Sequence, residues 1–206
     1  MTRMPSAERY NSVDMSREGA LIGIADHCGW AIIVTAKSDG TLIDRRRVEL
    51  VDTGLPNLPH HHEAQSLPLD EALALVERVR ASASRCAMAC LDAVAADVSI
   101  PILGVAIREC PEMPPTVAER ISNYRAQNNA DTVMYRTALA AAATSKQWPV
   151  HWYVRKTVFT DAGEALGRDI DELLREIGKS VGPPWRIDHR TAMAAAIVAG
   201  ARLTRP

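Results

Sequence analysis

The chain has 206 residues, with 24 Lys and Arg against 25 Asp and Glu and a net charge of −1. That length suits one full-sized domain with a real core and is short for two. The near-neutral charge excludes a global attraction to nucleic acid or anionic membrane, so a polyanion would have to be held by a local patch.

Residues 1–18 mix Ser, Arg, Glu and Asn without apolar periodicity, the composition of a flexible N-terminal arm. Residues 19–204 read as a single domain. Ala20 to Ala36 forms two apolar half-strands broken by Asp26-His27-Cys28-Gly29. Its β-branched and bulky residues fit a strand buried on both faces. Asp26 then falls at the end of a central strand, where a carboxylate is expensive to desolvate unless it is paired or bound to a cation. Asp39-Gly40 signals a tight turn, and Thr41 to Asp52 reads as an outer antiparallel strand that completes a three-stranded meander. Gly54 to Glu63 is a loop by its prolines. His60, His61 and His62 beside Glu63 resemble metal ligands, yet neighbours in an extended chain point to opposite sides and do not all converge on one ion. A solvated or hydrogen-bonding loop is the other reading.

From Leu69 to about Asp97 the apolar spacing is helical, with Ser82-Ala83-Ser84 as a candidate break. Ile100 to Ile107 is a second buried strand, with Glu109 at its carboxyl end. Thr116-Val117-Ala118-Glu119 has capping-box form and starts a helix. A second, Ala-rich helix is expected after Gln127-Asn128-Asn129. Val150 to Val154 is a further strand followed by Arg155-Lys156-Thr157, and Ile170 to Val181 a further helix. Gly182-Pro183-Pro184-Trp185 is a rigid turn; Asp188 then opens the last helix, Arg190 to about Leu203.

The four cysteines, Cys28, Cys86, Cys90 and Cys110, form no CxxC pair. There is no signal-peptide core and no uncharged apolar span of roughly eighteen residues. A reduced, cytoplasmic protein with no membrane partner is the expectation.

A strand meander followed by alternating helix and strand makes an α/β layer sheet whose carboxyl ends gather into one crevice. Asp26, Glu109 and Asp188 all sit at ends of elements, so they can meet there. Oxygen ligands of this kind suit Mg²⁺ or Mn²⁺, and a pair of such ions supports phosphodiester cleavage. The opposing reading makes Asp188 a helix cap, Asp26 a turn acid and Glu109 the ion-pair partner of Arg108 or Arg155.

The stretch RTALAAAATSKQWPVHWYVRKTV, the segment GPPWRIDHRTAMAAAIVA, the first strand with Gly23 and Asp26, and IPILGVAIRE with Glu109 together resemble the RuvC-type Holliday-junction resolvases of the ribonuclease H-like superfamily. The resemblance implies a ribonuclease H-like mixed sheet with an N-terminal antiparallel meander and helices on both faces. It also implies Asp26, Glu109 and Asp188 as ligands of Mg²⁺ or Mn²⁺, Lys156 as a phosphate contact, DNA or structured nucleic acid as partner, and a homodimer, for which Trp148, Trp152 and Tyr153 are to hand. Two departures stand out. The family's final helix begins Asp-x-x-Asp, whereas Thr191 takes the second position here, with His189 as a substitute ligand or base. The family's first strand reads Gly-x-Asp, and Gly23-Ile24-Ala25-Asp26 is one residue longer.

Arg120, Arg125, Arg136, Lys146, Arg155 and Lys156 face only Glu119 and Asp131 across 116–160, a locally positive stretch fit for a phosphate backbone or for a solvated helix face. Two functions follow: a divalent-metal-dependent nuclease, or a catalytically silent binding or interaction module of the same fold. A phosphotransfer enzyme is disfavoured by the lack of a Gly-rich phosphate loop.

Overall fold

Strands β1 (Ala20–His27), β2 (Trp30–Ala36) and β3 (Leu42–Glu49) form the expected meander in the computed structural model, which describes residues 19–204. The expected N-terminal arm lies outside the described residues. Asp39 accepts from the Thr41 N–H at 2.8 Å and Gly40 takes a φ of +87°, so the Asp-Gly turn forms as its chemistry requires. After α1 (Leu69–Asp97) come β4 (Ile102–Arg108), α2 (Val117–Ser122), α3 (Tyr124–Ser145), β5 (Val150–Tyr153), α4 (Val158–Leu166), α5 (Ile170–Val181) and α6 (Ile187–Thr204). The five strands run in the order β3-β2-β1-β4-β5. The β1–β2 and β2–β3 pairs are antiparallel, and β4 and β5 join β1 in parallel.

Side-chain alternation divides the core into two layers. Ile22 and Ile24 of β1 and Val105 and Ile107 of β4 pack under α1 and α3. Leu21 and Ala25 of β1 and Ala106 of β4 pack under α6, whose residues Ala192 to Ala199 are all buried. The Ala-rich sequence of α6 permits this close approach. At Gly23 it is closest, since a Cβ there would lie 1.8 Å from the Ala192 carbonyl oxygen.

Several elements differ from expectation for physical reasons. Helix α1 runs unbroken through Ser82, which is buried and holds the Asp52 N–H and carboxylate. Helix α3 starts at Tyr124 because the Asn123 side chain accepts from the Arg125 and Ala126 N–H groups, and Asn128 bonds back to the Tyr124 carbonyl instead of breaking the helix. Helix α4 escaped the sequence reading altogether. It is nine residues long, contains Gly163, and buries only Val158 and Ala162. Of the aromatics expected at a self-association face, Tyr153 is buried and Trp148 packs partly against the core, while Trp152 is exposed. Among the described residues no helix is long and apolar enough to cross a membrane.

Candidate functional site

The carboxyl ends of β1, β4 and β5 meet the N-terminus of α6 and the middle of α3 in a crevice of 230 Å³. Asp26, Asp188 and Thr191 line it, together with Arg108, Arg136 and Arg155. The expected meeting of strand ends is therefore present, but three arginines stand there beside two aspartates.

Strand parity decides what Asp26 does. It follows Ile22 and Ile24 at spacing two and so turns toward α3. There the Arg136 Nε donates to Asp26 Oδ2 at 2.8 Å, with the two side chains only 4% and 1% exposed. The same guanidinium donates to the Glu109 carbonyl at 3.0 Å and so bridges the ends of β1 and β4. Asp26 Oδ1 is buried without a hydrogen-bond partner among the described residues. On the α6 side of β1, beneath Thr191, the corresponding residue is Ala25.

Glu109 contributes its backbone and not its carboxylate. It lies past the end of β4, is exposed, and is absent from the crevice lining, where Arg108 stands instead. Its N–H donates to the Tyr153 carbonyl at 3.0 Å. Asp188 is in the first turn of α6, partly buried, with Oδ1 3.1 Å from His27 Nε2. His189 is buried, accepts from the Arg186 N–H at 3.3 Å, and faces a second groove. Burial, and next the nearby Arg45, lower its pKa, so it stays neutral in ordinary buffer. Lys156 is exposed and outside the crevice, whereas its neighbour Arg155 lines it.

These donors do not fit a divalent ion. Asp26 is neutralised by a guanidinium, Glu109 is elsewhere, and Asp188 alone supplies no shell of the kind hard cations require. Among the described residues no group of three His, Cys, Asp or Glu side chains is placed to hold a metal, which includes His60, His61 and His62. A thiol nucleophile is equally disfavoured. Burial, with Asp131 and Asp26 nearby, pushes the Cys28 thiol up to about 11, and burial also raises Cys110. Burial and then Asp26 push the Tyr153 phenol well above its ordinary value, and its hydroxyl donates to the Ile24 carbonyl at 2.9 Å.

The second groove, 710 Å³, shares Asp188 with the crevice and runs along β2 and β3 past Trp30, Arg45, Arg47 and Arg186. The His27 ring stacks on Trp30 at 4.0 Å, and the Arg47 guanidinium lies 4.5 Å from the Trp30 ring centroid. Arg45 donates to the Val181, Gly182 and Pro184 carbonyls and so ties β3 to the end of α5. Of the positive stretch expected across 116–160, Arg136 is consumed by Asp26, Lys146 pairs with Asp92, and Arg120 donates to the Pro114 and Pro115 carbonyls. Arg155 and Lys156 keep their exposure.

The sequence reading placed Arg136 among surface cations and missed it as the partner of Asp26. The available signal was its position on the buried side of an Ala-rich helix, where an unpaired guanidinium is not tolerated.

No family model and no curated protein matches the chain. Among solved structures it is similar to T. thermophilus RuvC in complex with Holliday junction substrate, with a TM-score of 0.51, 14% identity, and coverage of 91% of this chain and 97% of that one. A structure of Thermus thermophilus RuvC is matched with a TM-score of 0.49 and 13% identity over 89% and 95% of the two chains. The first similarity shows the fold: an α/β, ribonuclease H-like mixed sheet with helices on both faces.

Proposed function

We propose that this ribonuclease H-like chain is a non-hydrolytic module that binds the phosphate backbone of DNA or structured nucleic acid across its crevice and groove. The observation that carries the reading is the Arg136–Asp26 ion pair, which puts a guanidinium against the acid that a catalytic cation would need. Arg108 and Arg155 then offer charge to a phosphate, because neither forms a salt bridge among the described residues. Trp30, stacked on His27 and covered by Arg47, supplies an aromatic and cationic flank of the kind nucleic-acid tracks use. The Holliday junction bound by the similar RuvC structure supports the class of partner.

Phosphodiester hydrolysis is the second reading, favoured by the unpartnered Asp26 Oδ1 and by Asp188 on the same crevice. The two are separated by fluorescence anisotropy and gel assays on labelled single-stranded, duplex and four-way-junction DNA, with and without Mg²⁺ or Mn²⁺. We expect binding that weakens with salt and no cleavage. The Arg108→Gln/Arg155→Gln variant should flatten the slope of log K against log salt by about 0.9 per lost phosphate contact. Absence of binding to every substrate refutes the module, and metal-dependent cleavage that Asp188→Asn abolishes establishes the nuclease.

A further inference from the structure

A second cavity, 410 Å³, lies between α1, α2 and α3 and shares no lining residue with the crevice. Its volume is that of small-molecule sites, about 300–1,000 Å³. Val76, Val117, Val133 and Met134 give it an apolar wall, and His60, Arg80 and Arg120 give it polar points.

His60 is held with unusual care for a loop residue. Asp131, itself buried, accepts from the His60 backbone N–H at 3.0 Å, from its ring Nδ1 at 2.7 Å and from the His61 N–H at 3.1 Å. The ring is therefore fixed in position and its Nδ1 carries a proton toward Asp131. His60 Nε2 is buried and has no partner among the described residues, although the side chain is only 3% exposed. Buried polar atoms are nearly always satisfied, and a positioned, unsatisfied ring nitrogen in a cavity wall points to a ligand atom. No three His, Cys, Asp or Glu side chains converge here among the described residues, and the titratable points of the cavity wall are one ring nitrogen and two guanidinium groups. Of the two arginines, Arg80 is paired with Glu77 through two bonds. Arg120 makes no salt bridge among the described residues and is held only by the Pro114 and Pro115 carbonyls, which leaves part of its fork free.

We propose that this cavity binds a small apolar carboxylate. The apolar body fills the space between α1 and α3, the carboxylate charge offsets Arg120, and His60 Nε2, which takes up one proton from solvent as the carboxylate binds, donates it to one carboxyl oxygen. A planar carboxylate suits a guanidinium fork and one ring nitrogen. A bare phosphate would leave the apolar wall unfilled.

The test is titration of the full chain with hexanoate, hexanol and inorganic phosphate, followed by calorimetry and by the imidazole ¹⁵N shifts of His60. We expect saturable 1:1 binding of hexanoate, a shift at Nε2 larger than at Nδ1, and much weaker binding of hexanol and phosphate. Arg120→Gln, at a half-buried position, should weaken hexanoate by roughly tenfold or more and leave hexanol unchanged, as loss of a charge-assisted bond requires. Ala141→Phe, from an exposed position on the wall, should abolish uptake of both without disturbing His60. No saturable hexanoate binding, equal affinity for hexanol, an unmoved Nε2, or an Arg120→Gln variant that binds like wild type would each overturn the proposal.

Discussion

Asp26 and Arg136 lie 110 positions apart in sequence and their side chains are each almost wholly buried, and among the described residues the salt bridge each forms is with the other. Breaking a buried pair by removing one partner costs about 3–5 kcal/mol, whereas removing both can be nearly neutral. Arg136→Met should therefore destabilise the protein by about 3–5 kcal/mol in urea denaturation. Adding Asp26→Asn should recover a large part of that loss, because the stranded carboxylate is gone. A single Arg136→Met variant as stable as wild type would mean that the guanidinium is not what keeps Asp26 in place. The ion pair could not be read from the sequence because it is wholly non-local. The need for it could, since the end of a buried strand demanded a partner for its acid.

At the scale of elements, the path of β1 decides the site. Gly23 faces α6 and lets it approach, so in a Gly-x-Asp strand the acid would face α6 too. One further residue reverses the face, which leaves Ala25 under α6 and hands Asp26 to α3. The extra residue was visible in the sequence as a departure in spacing. Its meaning depended on parity, which a comparison of motif order ignores. The meander, the capping box of α2 with both reciprocal bonds, and a last helix beginning near Asp188 were legible because they rest on local chemistry, although α6 starts at Ile187 and takes Asp188 into its first turn instead of using it as a cap. Helix α4 and the start of α3 were not, because a short, Gly-containing helix and an Asn-rich first turn give weak local signals that packing and an Asn cap override. The close crossing at Gly23 gives a direct check. Gly23→Ala would drive a Cβ against the Ala192 carbonyl, and overpacking of that severity should cost about 3 kcal/mol or more. A Gly23→Ala denaturation midpoint equal to wild type would show that α6 is free to move away from β1.

For the molecule as a whole, the sheet creates a crevice at one edge and fills it with arginine, then continues it into a groove where Trp30 and further arginines lie. The fold shared with a RuvC structure is thus paired with a crevice lined by three arginines and two aspartates, the charge on which the proposed phosphate binding rests. Overall neutrality of the chain is compatible with this, because most acids lie elsewhere and the two in the crevice are held by Arg136 and His27. The central claim, that Arg136 stands where a catalytic cation would be needed, is tested most directly by Mn²⁺ titration of the wild-type protein at neutral pH, followed by electron paramagnetic resonance. We expect no saturable uptake up to about 1 mM, the weak end of protein sites for hard divalent cations. One Mn²⁺ bound per chain below that concentration, and lost in Asp26→Asn, would contradict it.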